Sequence, residues 1–181
     1  MTSESESFQY GPYTVEASSL SKVLFPKAGI TKRDFIRYAE DISGFMLPHL
    51  KSRPLSFERY PDGVGAEGFF QKHTPDYVPD WIRTRQLQKD GGTVEHTLFF
   101  LDTNRNAYGQ TAVAPYAVRS AENAPIACPV EWEEALAKGA RSDQYTLKTI
   151  RKRLERKGDV WSTIRRHAAT LAPRRDNLNA G

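Results

Sequence analysis

The stretch SSLSKVLFPKAGITKRDFIRYAEDI, residues 18–42, decides the fold of this chain. A short apolar segment leads through turn residues to Thr31, whose hydroxyl can accept a hydrogen bond from the first turn of a helix. Apolar residues then recur at spacings that form one helical stripe: Phe35, Ile36, Ala39, Ile42, Phe45 and Met46. We therefore predict a helix that begins after Thr31, runs to about Leu47 and stops at Pro48.

A β-rich middle follows this helix, between Arg53 and about Pro115. Its pieces are separated by turn residues and read PLSFERY (54–60), GFFQKH (68–73), TVEHTLFFLD (93–102) and QTAVAPYAV (110–118). Because no helices intervene, we expect antiparallel pairing. A short helix at 130–139, a second helix at 145–156 and a final turn or helix around Trp161 and Ile164 complete the pattern. The predicted class is α+β, a small, mostly antiparallel sheet flanked by helices.

Length and composition fit one domain. The 181 residues are 39% hydrophobic and have a mean hydropathy of -0.61. We expect a flexible leader at 1–10, a single domain at 11–172 and a flexible tail at 173–181.

No apolar run approaches the roughly 18 to 20 residues of a membrane span, and the acidic start does not resemble a secretory signal. The lone Cys128 cannot form an internal disulfide. The expected location is cytoplasmic, without a membrane partner.

Basic charge is concentrated at the end of the chain. Residues 141–181 contain 11 Lys and Arg against 4 Asp and Glu, although the net charge of the whole chain is only +4. Such a block is typical of a surface that binds phosphate backbones, and equally of a solvated helix face. The tail cations Arg151, Lys152, Arg153 and Arg156 would add non-specific affinity for DNA on the first interpretation.

Two lysines near the predicted helix start form a candidate anion site. Lys22 precedes the first short apolar segment and Lys32 stands in the first helical turn, where unpaired N–H groups and the helix dipole favour an anion. The alternative is two ordinary surface lysines, because lysine is mostly exposed in any protein.

A mixture of cations and aromatic rings in the β-rich middle is a second candidate site. Single-stranded and end-on nucleic-acid binding uses this mixture, since cations contact the backbone and rings stack on bases. The residues are Arg53, Phe57, Arg59, Tyr60, Phe69, Phe70 and Lys72. Because Phe69 and Phe70 are adjacent, they must point to opposite faces of a strand, and we expect at most one to be exposed.

Signals for catalysis are sparse. The phosphate-binding and dinucleotide-binding glycine motifs are absent, and the four histidines lack metal-ligand spacing. Asp102 ends the apolar run TLFFLD and could hold a metal ion, but phosphoryl-transfer chemistry on two metals requires several carboxylates.

Most of residues 18–136 resembles the polymerase domain of bacterial DNA ligase D, a member of the archaeo-eukaryotic primase-polymerase superfamily. The resemblance is carried by four stretches: the opening segment 18–42, LPHLKSRPLSFERYPDGVGAEGFFQKH (47–73), PDWIRT (79–84) and FFLDTNRNAYGQTAVAPYAVRSAENAPIACPVEWEEAL (99–136). It implies a reduced primase-polymerase-like domain.

This resemblance assigns roles to the candidate residues. It implies that Lys22 and Lys32 hold the 5'-phosphate of a recessed or broken DNA end, together with Ser19, which stands where the family commonly has Asn. It also implies that the segment Phe69, Phe70, Gln71 and Lys72 contacts DNA, with one ring packed against the template.

The resemblance also exposes a gap. In the family, a central block supplies the paired aspartates of the first metal motif and a Ser-x-His motif for the incoming nucleotide, whereas here TVEH (93–96) runs directly into TLFFLD (97–102). Asp102 matches the remaining catalytic carboxylate, and Gln110 and Arg119 match the border of the nucleotide pocket. Since one carboxylate cannot hold the metal ions of nucleotidyl transfer, the chain alone is not expected to polymerise.

The leading hypothesis is therefore a DNA-end-binding module linked to non-homologous end joining. It would need no cofactor for binding DNA, with Mg or Mn required only if catalysis is completed in trans. Expected partners are 5'-phosphorylated DNA ends, a DNA ligase or Ku-like protein and a second copy of the chain, in the nucleoid. The alternatives are a metal-dependent nucleotidyltransferase completed by a partner chain, and a decayed or protein-interaction scaffold without a DNA role.

Overall fold

A computed structural model describes residues 5–51, 53, 55–71, 74–82, 84–89, 92–96 and 113–167. In chain order the elements are β1 (Ser5–Tyr10), β2 (Tyr13–Ser18), β3 (Val23–Phe25), β4 (Ile30–Thr31), α1 (Lys32–Leu50), β5 (Phe57–Arg59), β6 (Phe69–Gln71), β7 (Arg85–Lys89), β8 (Gly92–His96), α2 (Trp132–Leu136), α3 (Ile150–Lys157) and a 3-10 helix (Ile164–His167). Helices combined with short antiparallel strands confirm the predicted α+β class.

The described strands pair as four consecutive antiparallel hairpins, β1–β2, β3–β4, β5–β6 and β7–β8. β5 and β6 lie within two of the predicted β-rich pieces, and β8 overlaps a third. β7 departs from the prediction, because its sequence RQLQK has only one apolar residue to indicate a strand. Residues 97–112, which complete the third predicted piece and begin the fourth, lie outside the described residues.

Residues 5–10, within the predicted flexible leader, form a strand. Ser5–Tyr10 form β1, and the β1–β2 hairpin contacts α1 at two points. Glu6 pairs with Arg33, and the Tyr10 hydroxyl donates to Glu40 Oε1 at 2.7 Å. The strand is hard to find in the sequence, because polar residues dominate SESFQY. The predicted tail at 173–181 lies outside the described residues.

Helix α1 begins as predicted and ends later than predicted. Thr31 is the N-cap, and it forms a capping box with Asp34: the Asp34 N–H donates to Thr31 Oγ1, and the Thr31 N–H donates to Asp34 Oδ2. Pro48 lies within the helix instead of stopping it. Proline removes only its own N–H, and the last turn still closes through a 3.0 Å bond from the Lys51 N–H to the Leu47 carbonyl.

The core joins α1 to the C-terminal half of the chain. Its larger cluster contains Tyr38, Ile42, Tyr116, Ile126, Ile150 and Leu154. A smaller cluster of Phe25, Ile30 and Ala124 fixes the β3–β4 hairpin against the same half. The N-terminal end of α1 is therefore anchored on both sides by buried apolar residues.

A buried polar network closes the other end of α1. Asp159 accepts hydrogen bonds from Tyr116 Oη at 2.6 Å and from the Trp161 N–H at 2.9 Å, and it contacts His49 Nε2 at 2.8 Å. Burial and the hydrogen bond to Asp159 raise the pKa of the Tyr116 hydroxyl well above its ordinary value. The network therefore ties α1 to the turn after α3.

Across the described residues, no helix has the length and hydropathy that crossing a membrane requires.

Candidate nucleic-acid interface

Lys22 and Lys32, the two lysines of the predicted phosphate site, are neighbours through their backbones. Lys22 immediately precedes β3, and Lys32 is the first residue of α1. The Lys32 N–H donates to the Lys22 carbonyl at 2.8 Å, so the two residues are neighbours across the β3–β4 hairpin. The anchoring of this hairpin in the core therefore determines the separation of the two lysines.

The backbone N–H groups of the first helical turn already donate hydrogen bonds within the protein. This corrects the expectation that unpaired N–H groups there would attract an anion. The Lys32 and Arg33 N–H groups donate to the carbonyls of Lys22 and Leu20, at 2.8 and 3.0 Å. The Asp34 N–H donates to Thr31 Oγ1 at 3.2 Å. Because the turn at 19–22 and the cap satisfy these donors, an anion here would be held by side chains instead of by free N–H groups.

Each lysine head group has a polar partner on the protein. Lys32 Nζ donates to the Ser18 carbonyl at 2.8 Å. Lys22 Nζ pairs with Asp62 Oδ1 at 2.7 Å, in a pair whose side chains are 39% and 79% exposed. Exposed pairs of this kind contribute little to stability. The Lys22 ammonium group can therefore leave Asp62 for an anion from solvent at little cost.

Ser19 shapes the turn before Lys22 through its backbone conformation. Its φ is 55°, in the left-handed region that asparagine and glycine adopt more readily than serine. Its carbonyl accepts from the Lys22 N–H at 3.0 Å, which closes the turn before the lysine. The requirement for a left-handed residue gives a conformational reason for the asparagine that the resemblance leads one to expect here.

The β5–β6 hairpin exposes aromatic rings on both faces. Phe69 and Phe70 are 50% and 59% exposed, so the expectation that at most one would be accessible was wrong. Adjacent strand residues do point to opposite faces, but among the described residues this ribbon has only two strands, and both rings stay at least half exposed. Phe57, on the neighbouring strand, is also 50% exposed. The hairpin therefore offers rings on which bases could stack.

Arg59 is held in place on this hairpin. Its guanidinium donates to Gln71 Oε1 at 2.6 Å and to the Tyr77 hydroxyl, and it lies 6.0 Å from the centre of the Phe69 ring. These contacts orient the cation beside an exposed ring, an arrangement suited to a nucleic-acid backbone next to a stacked base.

Other predicted contact residues flank this hairpin. Arg53 lies between α1 and β5 and is half-buried, while Arg119 is exposed. The neighbour of Arg119, Ser120, donates to Glu58 Oε2 on β5 at 2.8 Å, which brings the predicted border of the nucleotide pocket next to the hairpin. Lys72 lies outside the described residues.

The remaining catalytic predictions stay untested. Asp102 and Gln110 lie outside the described residues. Within the described ranges, no group of three His, Cys, Asp or Glu side chains is arranged to hold a metal ion. Cys128 is not an activated nucleophile, because burial raises the pKa of its thiol to about 11 and keeps it protonated.

The basic C-terminal block is less available for DNA than its charge indicates. Arg153 is 2% exposed, donates to Glu134 Oε2 at 2.8 Å and lies 5.4 Å from the centre of the Tyr145 ring. It is a structural residue, which corrects its assignment to non-specific DNA binding. Arg151 pairs with Asp41 and Glu155 at 3.3 Å, whereas Lys152 and Arg156 are exposed.

Comparison with known families places the chain in the primase-polymerase class. The family model for the "LigD, primase-polymerase domain" matches residues 31–99 and 96–161. The chain belongs to this family. The two matched segments meet at 96–99, where the sequence passes from TVEH to TLFFLD.

Several proteins of known identity are similar to the chain. It is 44% identical over 70 residues to the bifunctional non-homologous end joining protein LigD of Bacillus subtilis, a match that covers 39% of this chain. It is 32% identical over 84 residues to the multifunctional LigD of Mycolicibacterium smegmatis, covering 46% of this chain. These matches span only 12% and 11% of the two relatives.

A solved structure supports the fold. The chain is similar to the polymerase domain of Mycobacterium tuberculosis ligase D in complex with DNA, with a TM-score of 0.73 and 15% identity. The similarity covers 83% of this chain and 97% of that one. At this level of identity, the likeness establishes a shared fold.

Sequence reasoning missed Asp62. The PDG at 61–63 indicated a turn, where Asp is common because it bonds its own backbone. Here the Asp62 carboxylate pairs with Lys22, 40 positions earlier in the chain. No local pattern connects the two residues, and the pairing follows only from the way this turn packs against β3.

Proposed function

We propose that this chain binds DNA ends that carry a 5'-phosphate, with Lys22 and Lys32 contacting the phosphate. The observation that carries the proposal is the bond from the Lys32 N–H to the Lys22 carbonyl, which makes the two lysines neighbours on one anchored hairpin. Membership of the LigD primase-polymerase family supports it, as does the relative whose structure contains DNA.

The physical basis is the exchange of weak partners for a strong one. Lys32 releases a carbonyl and Lys22 an exposed carboxylate, and both then face a terminal phosphate whose charge is roughly -1.5 to -2. Charge-assisted hydrogen bonds to phosphate are about twice as strong as bonds between neutral groups. Ser19 acts by holding the turn that presents Lys22.

DNA beyond the terminal phosphate would run along the β5–β6 hairpin. The segment 57–71 contains both Asp62, which contacts Lys22, and the exposed rings of the hairpin. A duplex end anchored by its phosphate would therefore meet Arg59 and the Phe69 and Phe70 rings next. Arg53 and Lys72 would add backbone contacts around this path, and Arg119 would lie beside it at the remnant of the nucleotide pocket.

We propose further that the chain alone does not polymerise. Asp102 is the one residue that the family resemblance leaves as a metal ligand, and the sequence contains no D-x-D motif to accompany it. Mg²⁺ or Mn²⁺ would supply charge stabilisation for nucleotidyl transfer only where a partner chain completed the ligand set. Binding of DNA ends requires neither ion.

The biological setting proposed for this activity is the joining of broken DNA ends. The relatives in Bacillus subtilis and Mycolicibacterium smegmatis are named for non-homologous end joining. A DNA ligase, a Ku-like protein or a second copy of the chain would then act at the same DNA end, in the nucleoid.

Fluorescence anisotropy tests the proposal with two recessed duplexes that differ only in a 5'-phosphate or 5'-hydroxyl. The wild type should prefer the phosphorylated end, and Lys22→Ala/Lys32→Ala should lose that preference. The double variant should also show a weaker salt dependence: the slope of log K against log salt concentration should become shallower by about 0.7 to 0.9 for each lost phosphate contact. Lys27→Ala/Lys138→Ala is the control, because it removes the same charge from two exposed lysines outside the proposed pair. Equal binding of both duplexes by the wild type would contradict the proposal.

A further inference from the structure

Asp62 stands at the lysine pair as an anion belonging to the protein itself. Its Oδ1 lies 2.7 Å from Lys22 Nζ, and its side chain is 79% exposed. An incoming phosphate would have to displace this carboxylate from Lys22 or bind beside it, and the charge of the carboxylate opposes either arrangement.

The position of Asp62 is built into the fold. The Val64 N–H donates to the Leu24 carbonyl on β3 at 2.7 Å, and the Gly63 N–H closes the turn onto the Tyr60 carbonyl at 3.1 Å. Gly63 has a φ of 91°, and a Cβ there would lie 3.0 Å from the carbonyl oxygens of Val23 and Leu24. The turn therefore packs directly on the strand that follows Lys22.

We propose that Asp62 is a built-in competitor that sets the affinity of the lysine pair for a terminal phosphate. The proposal rests on the proposed function of that pair. With Asp62 present, the three side chains carry a net charge of about +1; without its charge they would carry +2, and a dianionic phosphate gains more from this change than a neutral hydroxyl does. Competition from the Asp62 carboxylate keeps binding of the terminal phosphate reversible, so that the DNA end can dissociate from the lysine pair.

Asp62→Asn tests this role, because it removes the charge and preserves the size of the side chain. The expected result is tighter binding of the 5'-phosphorylated duplex by about two- to fivefold, the scale of a partly exposed ion pair, with a smaller change for the 5'-hydroxyl duplex. The matched control is Glu122→Gln, which removes the carboxylate of another exposed pair, 2.6 Å from Lys27.

A double-mutant cycle shows whether the gain passes through Lys22. In a Lys22→Ala background, Asp62→Asn should tighten binding no more than Glu122→Gln does. An equal gain for Asp62→Asn and Glu122→Gln in the wild-type background would overturn the proposal. Weaker binding after Asp62→Asn would also overturn it, because Asp62 would then be a residue that orients Lys22 for the ligand.

Failure of this proposal is distinguishable from failure of the proposed function. A wild type that prefers the phosphorylated end, with Asp62→Asn behaving like its control, contradicts only the competitor role. No phosphate preference in either the wild type or Asp62→Asn contradicts both.

Discussion

The lysine pair and helix α3 use positive charge in different ways. α3 lies in the most basic part of the sequence, yet its central cation, Arg153, is buried against Glu134 and Tyr145. Lys22 and Lys32 belong to a part of the chain with no excess of basic residues, but they are backbone neighbours whose ammonium groups contact Asp62 and the Ser18 carbonyl. The difference shows that the number of cations in a segment does not indicate how many are available to an anion, because contacts within the fold decide this.

Removing the buried cation of α3 should have the largest effect on the free energy of unfolding. Arg153→Ala should destabilise the fold by about 3 kcal/mol, because it leaves Glu134 without its main partner in a largely buried site. Urea unfolding measures this loss. If Arg153→Ala costs less than about 1 kcal/mol, the value typical of an exposed pair, then α3 is a solvated basic face after all.

The packing of the Asp62 turn should give the next largest effect. Gly63→Ala places a methyl group 3.0 Å from two β3 carbonyl oxygens at a φ of 91°, so we expect a loss of about 2 kcal/mol in stability. Gly65→Ala is the control, since its φ is also positive but nothing lies within 4 Å of the added Cβ. Urea unfolding measures both losses of stability. If the two variants lose the same free energy of unfolding, the close approach of the turn to β3 does not contribute to the cost of Gly63→Ala.

The cap of α1 should give a smaller effect that depends on pH. Hydrogen bonds from Thr31 hold the pKa of Asp34 below its ordinary value. A lowered folded-state pKa stabilises the fold above the unfolded pKa of about 3.9, and this stability is lost as the pH falls through the folded pKa. Asp34→Asn should therefore cost about 1 kcal/mol near pH 7 and have little effect once the wild-type carboxyl is protonated.

Thermal unfolding from pH 7 down to pH 2.5 would measure this difference. A cost that stays constant over the whole range would show that the Asp34 charge does not stabilise the start of the helix.

The turn before Lys22 should give the smallest effect, and one of opposite sign. Ser19→Asn should stabilise the fold by about 0.5 kcal/mol, because asparagine adopts the left-handed conformation at φ 55° more readily than serine. Thermal unfolding of Ser19→Asn beside Ser18→Asn, whose site is an extended strand residue, isolates the conformational contribution. A Ser19→Asn variant that is less stable than the wild type would contradict this conformational explanation.

Local patterns predicted the parts of the molecule that depend on local physics. Thr31 as the N-cap, the start of α1 and the β5 and β6 strands follow from spacing and turn chemistry, and the resemblance located the lysine pair. The burial of Arg153, the pairing of Asp62 with Lys22 and the exposure of both Phe69 and Phe70 were not predictable. Each of these depends on contacts between segments distant in sequence, or on whether a layer covers a strand.

The most direct measurement compares the removal of two positive charges from each region. Lys22→Ala/Lys32→Ala and Lys152→Ala/Arg156→Ala lose the same charge, the second from exposed positions on α3. Anisotropy titrations on 5'-phosphorylated and 5'-hydroxyl recessed duplexes should show that only the first variant loses the preference for phosphate, while the second weakens binding to both duplexes equally. A phosphate preference that survives in the first variant and disappears in the second would contradict the account.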